Sequence, residues 1–531
     1  MKKFFKGINI PLSLLAVITV IGCLLRIFLG YNLTLNADEA GVTLLQASGQ
    51  AVQYEKNPIR LIAPLEKFKA YINYSDRFGL QDVIDSLQQT GLHPPFYYLF
   101  LHLILKLFGS HILILRGVSI GFSILSIALI YRVGSLLVNR EVGLLSALFL
   151  SVSTFGVHLG VMVRPYPLAM LLSLVSTALV LEIILRKQTI KEGQIFFGYG
   201  VVALIGLYTV YHFVFVIIFQ VLLLCLFFWG QKEVFKKILI TLSLVMLGYF
   251  LWVPSVFRQL NFLDHVSYFQ GSCHNLAIVQ YPFDVSFFAL RKLLMLPLAS
   301  FFVLKALWWG TLLAGISFFL KKRTHQLFLL SIGIYFCSLV LADRCLGTCT
   351  LAIPKLFFFI MPLVYIIFAI GISRISNKIY LKTIAVTFFT TSLLLNTVYS
   401  YHINPGIYTK ERYVPLFQSH IEYKLEDRKK GLLILCDSQR RYVFPLIYAL
   451  KAPLDVLIIP NETLKSTVFD IKSWKEYRHI FVVNFLGDEN KNLPVISLLG
   501  ENLERNNFSK EGVIKVDQQS LQIYRKTDAA L

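Results

Sequence analysis

Apolar runs of about twenty residues recur along the chain, and they constrain the fold more than any other feature of the sequence. Of the 531 residues, 56% are hydrophobic and 14% aromatic, which is well above the usage of soluble domains. A run of this length crosses the hydrocarbon core of a bilayer as one helix, because a helix satisfies all its own backbone hydrogen bonds. The sequence therefore predicts a polytopic α-helical membrane protein.

Hydropathy and the spacing of basic loops predict about eleven membrane spans. We place them at 8–30, 112–137, 142–162, 167–186, 196–210, 212–230, 237–257, 293–320, 326–342, 353–371 and 380–400.

The formal net charge is +21, and most basic residues lie in short connections between the apolar runs. With a cytoplasmic N-terminus, these connections all fall on the inner side, as the positive-inside rule requires. The charge thus indicates orientation in a plasma or inner membrane, and the absence of a basic-aromatic module argues against nucleic-acid binding. This topology puts the loop 31–111, Arg164 and everything after Tyr401 on the outer face.

One apolar segment, from His93 to Gly109, does not fit this alternation. If it crossed the membrane, every later basic loop would lie outside. We therefore predict an interfacial helix, with Pro94 and Pro95 in its first turn and aromatic side chains at the level of the lipid headgroups.

Residues 401–531 have a different character. They contain short β-type runs at 432–435, 455–459, 479–483 and 512–516, and polar, helix-length stretches separate the first three. This pattern predicts a soluble, extracytoplasmic α/β domain with a partly parallel sheet. It lacks a glycine-rich phosphate loop, so we interpret it as an accessory domain, with residues 1–400 as the catalytic module.

Three local patterns stand out on the predicted outer face: Asp38-Glu39 after the first span, His93-Pro94-Pro95-Phe96-Tyr97-Tyr98, and Val163-Arg164-Pro165-Tyr166. In this order and spacing they resemble the bacterial multi-span glycosyltransferases of the GT-C class, which are related to protein O-mannosyltransferases and to the aminoarabinose transferase of lipid A. The resemblance covers residues 1–400. It implies a GT-C fold and inverting transfer of a sugar from a polyprenyl-phosphate donor to a hydroxyl on a lipid, glycan or protein acceptor.

The resemblance assigns the catalytic base to Asp38, since a hydroxyl of high pKa needs a base when it attacks. Glu39 either orients the acceptor or Asp38, binds a metal, or caps a helix. The leaving lipid phosphate needs cations rather than an acid, and the candidates are Arg164, Lys355 and His93. Tyr166 and Tyr97 are the candidate substrate-binding tyrosines.

Two departures from the family pattern bear on the site. Val163 stands where the family usually has an acidic residue, so the use of a divalent metal is left open. Lys355-Leu356 stands where Arg-Tyr is common in the family. A lysine, unlike an arginine, cannot bind a phosphate with two parallel hydrogen bonds.

Two other functions remain open from the sequence: a transporter or lipid flippase, and a polymerase or ligase of surface polysaccharide. Transporters place their sites near the midplane of the membrane. In this chain the predicted spans carry few charges, and the polar groups gather at one face, which favours the transferase.

Overall fold

The computed structural model describes residues 10–56, 62–90, 93–186, 192–263, 298–319, isolated positions between 326 and 341, 358–375, 379–402, 413–425, 431–437, 443–460, 474, 476–485, 499–516 and 519–527. The chain forms two compact units. The first consists of Met1–Asn32, Leu92–Tyr97 and Leu113–Asn404, and the second of Leu33–Gly91, Tyr98–Ile112 and Pro405–Leu531.

The first unit is helical, and its helices are apolar over most of their surface. They are α1 (Ile10–Asn32), α7 (Ile112–Leu137), α8 (Arg140–Val152), α9 (Thr154–Val161), α10 (Tyr166–Arg186), α11 (Glu192–Thr209), α12 (Phe213–Phe227), α13 (Lys232–Tyr249), α14 (Val253–Leu263), α15 (Leu298–Phe319), α16 (Ile360–Ile375) and α17 (Ile379–His402).

Within the described residues, four helices are long and apolar enough to cross a membrane: Leu12–Asn32, Ile112–Leu137, Tyr166–Leu185 and Lys232–Gln259. A fifth span results if α8 and α9 count as one bent helix. The remaining predicted spans appear as shorter apolar helices or lie largely outside the described residues, so the count of eleven stays a prediction.

The predicted span 142–162 is wrong in one respect, because it is broken rather than continuous. α8 and α9 meet at a bend of 62°. The backbone of Ser153 is extended there, and its hydroxyl accepts a hydrogen bond of 3.1 Å from the Gly156 amide, which caps the start of α9. A serine in an apolar run therefore ends one helix and begins the next.

The second unit combines the loop after α1 with the C-terminal part of the chain. Its helical elements are a π-helix (Asp38–Leu44), α2 (Leu45–Ala47), α3 (Ala51–Lys56), α4 (Leu65–Ala70), α5 (Leu80–Thr90), the main part of α6 (Phe96–Phe108), α18 (Tyr413–Lys424) and α19 (Phe444–Ala449). The predicted helix at 93–109 thus exists, but it begins at Phe96, after the two prolines.

A mixed six-stranded sheet forms the core of this unit, in the order β1-β3-β2-β4-β6-β5. Its strands are β1 (Ala63–Pro64), β2 (Gly431–Asp437), β3 (Leu454–Pro460), β4 (His479–Asn484), β5 (Phe508–Val516) and β6 (Gln519–Lys526). β2 runs parallel to both β3 and β4, and the other pairings are antiparallel, which confirms the predicted partly parallel sheet.

β1 is the unexpected strand, because it comes from the loop after α1. Ala63 pairs with Val456 and Pro64 with Asp455 at the edge of the sheet. The units therefore do not follow the predicted division into 1–400 and 401–531. Most of the loop 31–111 packs with the C-terminal sheet instead.

Candidate active site

The carboxylate pair lies in the second unit, at the start of the π-helix. Such helices are rare and occur often at functional sites. The Asp38 carbonyl accepts a hydrogen bond of 3.0 Å from the Thr43 hydroxyl, five residues later, in keeping with the wide turn. The Asp38 side chain is half-buried, whereas Glu39 is only 2% exposed.

Glu39 closes a reciprocal cap with Asn36. The Asn36 amide donates to Glu39 Oε2 at 2.9 Å, and the Glu39 amide donates to Asn36 Oδ1 at 2.8 Å. This is the geometry of a capping box, in which the first and fourth residues satisfy each other's backbone donors. Of the alternatives for Glu39, helix capping is therefore present in the structure, and it fixes the turn on which Asp38 sits.

Packing inside the second unit holds this turn in place. The π-helix contacts α19, and the rings of Tyr54 and Phe444 lie 5.0 Å apart. The Tyr448 hydroxyl donates to the Ser110 carbonyl at 2.9 Å. On the other side, the His102 ring bonds the Ala47 carbonyl at 2.8 Å. The loop after α1 is thus built into the C-terminal fold.

The cationic cluster lies in the first unit, in the short turn between α9 and α10. Arg164 is 3% exposed, and its Nη2 lies 3.4 Å from Nε2 of His93. A guanidinium only donates hydrogen bonds, so His93 accepts through Nε2 and carries its proton on Nδ1. The guanidinium carbon also lies 5.7 Å from the centre of the Tyr166 ring, within range of a cation–π contact.

The position of Arg164 in the chain adds to its charge. It stands two residues before the first residue of α10, where the helix dipole favours an anion. An arginine, a histidine and the start of a helix thus lie close together. This arrangement is suited to binding a phosphate group. The structure thus brings together three predicted residues, His93, Arg164 and Tyr166.

The other predicted site residues have separate outcomes. Tyr97 is fully buried just after the start of α6, and its substrate role stays a prediction. Lys355 lies outside the described residues, so its phosphate role also stays a prediction.

The described residues do not provide a set of metal ligands. No group of three or more His, Cys, Asp or Glu side chains comes together in that part of the chain. One Glu39 oxygen already accepts the Asn36 amide, and Val163 supplies no donor. A metal does not fit these residues, and none enters the mechanism below.

Sequence reasoning missed two buried arginines in the first unit. Arg26 in α1 is 0% exposed, and Arg116 in α7 is 2% exposed. Arg116 donates to the Gly30 carbonyl near the end of α1. A charged residue within an apolar span was the available signal, since such residues are rare and tend to be functional.

The family model for dolichyl-phosphate-mannose-protein mannosyltransferases matches residues 92–257, a stretch that holds His93, Arg164 and Tyr166. Over this part of the chain the sequence is similar to membrane glycosyltransferases. A comparison of the sequence with curated proteins found no significant match.

Solved structures share the fold at low sequence identity. ArnT from Cupriavidus metallidurans bound to undecaprenyl phosphate is 11% identical, with a TM-score of 0.54, and the match covers 96% of this chain and 97% of that one. The oligosaccharyltransferase of Archaeoglobus fulgidus, in a complex with Zn and sulfate, is 11% identical with a TM-score of 0.51, covering 94% of this chain and 71% of that one. The same archaeal enzyme, AglB, with an inhibitory peptide and a dolichol-phosphate gives a TM-score of 0.50 at 10% identity, covering 95% and 73%.

Proposed function

We propose that this protein is a glycosyltransferase that moves a sugar from a polyprenyl-phosphate donor to a hydroxyl acceptor at the outer face of the membrane, with inversion at the sugar carbon. The observation that carries the proposal is the buried Arg164 beside His93 at the start of α10. Undecaprenyl phosphate bound to ArnT and a dolichol-phosphate bound to AglB support a lipid phosphate as the ligand.

In the proposed reaction the Asp38 carboxylate accepts the acceptor hydroxyl proton as that oxygen attacks the anomeric carbon. The bond between the sugar carbon and the phosphate oxygen breaks on the opposite face of the ring. The leaving phosphate gains one negative charge and needs no proton, because its second pKa is about 6. Asp38 ends protonated, and the sugar is joined to the acceptor oxygen.

Arg164 stabilises the charge that develops on the phosphate. Because Arg164 is only 3% exposed, its fixed positive charge acts more strongly than one in water. His93 holds the guanidinium in place through its neutral Nε2. Glu39 acts as a positioning residue, since its cap with Asn36 sets the turn that presents Asp38.

The test separates chemistry from binding in the purified protein. Two quantities are measured: release of labelled sugar from a polyprenyl-phosphate donor, and binding of undecaprenyl phosphate. We expect Asp38→Asn to lower turnover at least about 100-fold with unchanged binding, because a general base accelerates a reaction by a factor of at least this order. We expect Arg164→Ala to weaken binding about 10- to 100-fold, in line with the loss of charged hydrogen bonds.

Matched controls are available in the same units. Asp76→Asn removes an exposed carboxylate from the loop that carries Asp38. Arg132→Ala removes an exposed arginine, paired with Glu182 at 3.0 Å, from α7. Both controls are expected to behave as the unmodified protein. Full turnover in Asp38→Asn contradicts the role of the base, and unchanged binding in Arg164→Ala contradicts the phosphate site.

A further inference from the structure

Arg26 is a charged side chain in the C-terminal half of α1, and it is 0% exposed. Its guanidinium donates five hydrogen bonds, which matches the five N–H donors of an arginine head group. The acceptors are one hydroxyl and four backbone carbonyls: Ser123 Oγ at 2.8 Å, Gly22 at 2.9 Å, Ser151 at 2.8 Å, Leu150 at 3.1 Å and Gly156 at 2.9 Å.

Three of these carbonyls flank the bend between α8 and α9. Leu150 and Ser151 belong to the last turn of α8, where a helix leaves its carbonyls without intrahelical partners. Gly156 lies in the first turn of α9. In apolar surroundings such groups must be satisfied from within the protein. Arg26 does this for the end of α8, where its positive charge also suits the helix dipole, and it ties α9 to the same point through Gly156.

The same side chain also contacts α9 one turn further on. A Cβ atom at Gly160 would lie 2.7 Å from Arg26 Nε, so only a glycine lets the two approach this closely. Thr397 from α17 adds a contact from another direction: its hydroxyl donates to the Val152 carbonyl at 2.8 Å and lies 3.2 Å from the Thr154 hydroxyl. α9 is thus fixed at its start and along its length.

Arg164 follows Gly160 by four residues, just beyond the end of α9. We propose that Arg26 is a positioning residue that holds the bent α8–α9 pair and thereby sets the place of Arg164. This inference rests on the proposed function, which assigns the donor phosphate to Arg164. Arg26 itself touches neither the phosphate nor the sugar in this mechanism.

The first variant is Arg26→Lys, which keeps the charge. A lysine ammonium has three donors on a flexible stem and cannot serve five acceptors on four helices in a fixed plane. We expect undecaprenyl phosphate to bind about tenfold more weakly, since small misplacements of a binding group have effects of this order or larger. The KM for the lipid donor should rise more than kcat falls.

A double-mutant cycle with Arg164→Ala distinguishes positioning from general damage. If Arg26 acts through Arg164, the pair Arg26→Lys with Arg164→Ala should bind no more than about twofold more weakly than Arg164→Ala alone. If the two losses add in full while Arg164→Ala weakens binding, the positioning inference is overturned and the phosphate site stands. If Arg164→Ala binds normally, the proposed function fails at its phosphate site and this inference fails with it.

A milder pair of variants covers the case in which Arg26→Lys does not fold. Ser123→Ala removes the acceptor of Arg26 Nε, and we expect binding to weaken about two- to fivefold, again without additivity to Arg164→Ala. Ser126→Ala is the matched control, since its hydroxyl bonds only the Phe122 carbonyl of its own helix at 2.9 Å. Equal binding in the two serine variants overturns the inference.

Discussion

The two clusters of candidate site residues are stabilised in opposite ways. In the first unit, the turn that carries Arg164 follows a broken helix held by hydrogen bonds from one buried arginine. In the second unit, the turn that carries Asp38 is held by a short cap and by aromatic and apolar packing on α19. Polar contacts thus hold the turn in the first unit, and mainly apolar contacts hold the turn in the second unit.

This difference follows from the surroundings. Between apolar helices in a lipid bilayer, burying further apolar surface adds little, so hydrogen bonds and close packing decide which helices meet. We predict that the second unit folds in water, where burial of aromatic rings is the larger contribution. Substitutions that remove apolar contacts should therefore affect the turn that carries Asp38 more. Substitutions that remove hydrogen bonds should affect the turn that carries Arg164 more.

The largest effect is expected from Phe444→Ala. Phe444 is fully buried against Tyr54, and removing such a ring destabilises a core by about 3–5 kcal/mol. Turnover should fall steeply while undecaprenyl phosphate still binds through the first unit. Leu416→Ala, at a position 38% exposed in α18, is the control. Loss of lipid-phosphate binding in Phe444→Ala would mean that the two clusters are not stabilised independently.

The next effect concerns the cap beneath Asp38. Glu39→Ala should destabilise the turn by about 1 kcal/mol and lower turnover several-fold, as loss of a helix cap does. Glu39→Gln keeps an oxygen for the Asn36 amide and should retain most activity. Asn36→Ala should resemble Glu39→Ala, because it removes the other half of the pair. A complete loss of turnover in Glu39→Gln would show that its negative charge acts in the chemistry.

A smaller effect is expected at the helix break. Thr397→Val removes the hydroxyl that meets the Val152 carbonyl while keeping the shape of the side chain. Interhelical hydrogen bonds of this kind contribute about 0.6 kcal/mol in membrane proteins. Binding of undecaprenyl phosphate should therefore weaken about threefold. Thr383→Val, whose hydroxyl bonds only its own helix, should leave it unchanged.

The smallest expected effect is a pH dependence of the local stability of the sheet. Burial lowers the pKa of His479, and Arg525 and Lys424 add to this against the opposing charge of Glu511. A histidine with a lowered pKa binds its proton more readily in the unfolded state, so the folded state loses stability as the pH falls from the ordinary pKa near 6.5 through the lowered one. Hydrogen exchange of the β4 amides, corrected for its intrinsic pH dependence, should therefore accelerate between pH 7.5 and 5.5.

His479→Gln should remove most of this pH dependence. His420→Gln should not, since that ring bonds the Leu416 carbonyl of its own helix. Equal pH dependence in all three proteins would assign it to another group.

Hydropathy predicted the long helices well, because a span must be apolar throughout. The prediction of 112–137 agrees with α7, and 167–186 agrees within one residue with α10. The motifs also identified His93 and Arg164, which the fold brings within 3.4 Å.

The missed features depend on partners far along the chain. The bend at Ser153 is stabilised by Arg26 from another helix, so the local pattern 142–162 still looks continuous. β1 has only two residues, too few to produce an alternating pattern, and β6 was likewise not predicted. Sequence alone thus named the candidate charged residues but not the contacts that hold them in place.

The pairing of β1 with β3 has a consequence for the order in which the protein is made. Ala63 and Pro64 leave the ribosome well before their partners Val456 and Asp455, which follow several hundred residues later. Contacts this distant in sequence form late, because a long loop must close first. The turn that bears Asp38 therefore reaches its final packing only after the sheet has folded. A chain that stops before β2 should insert its apolar helices and yet stay inactive, which links activity to the synthesis of the later strands.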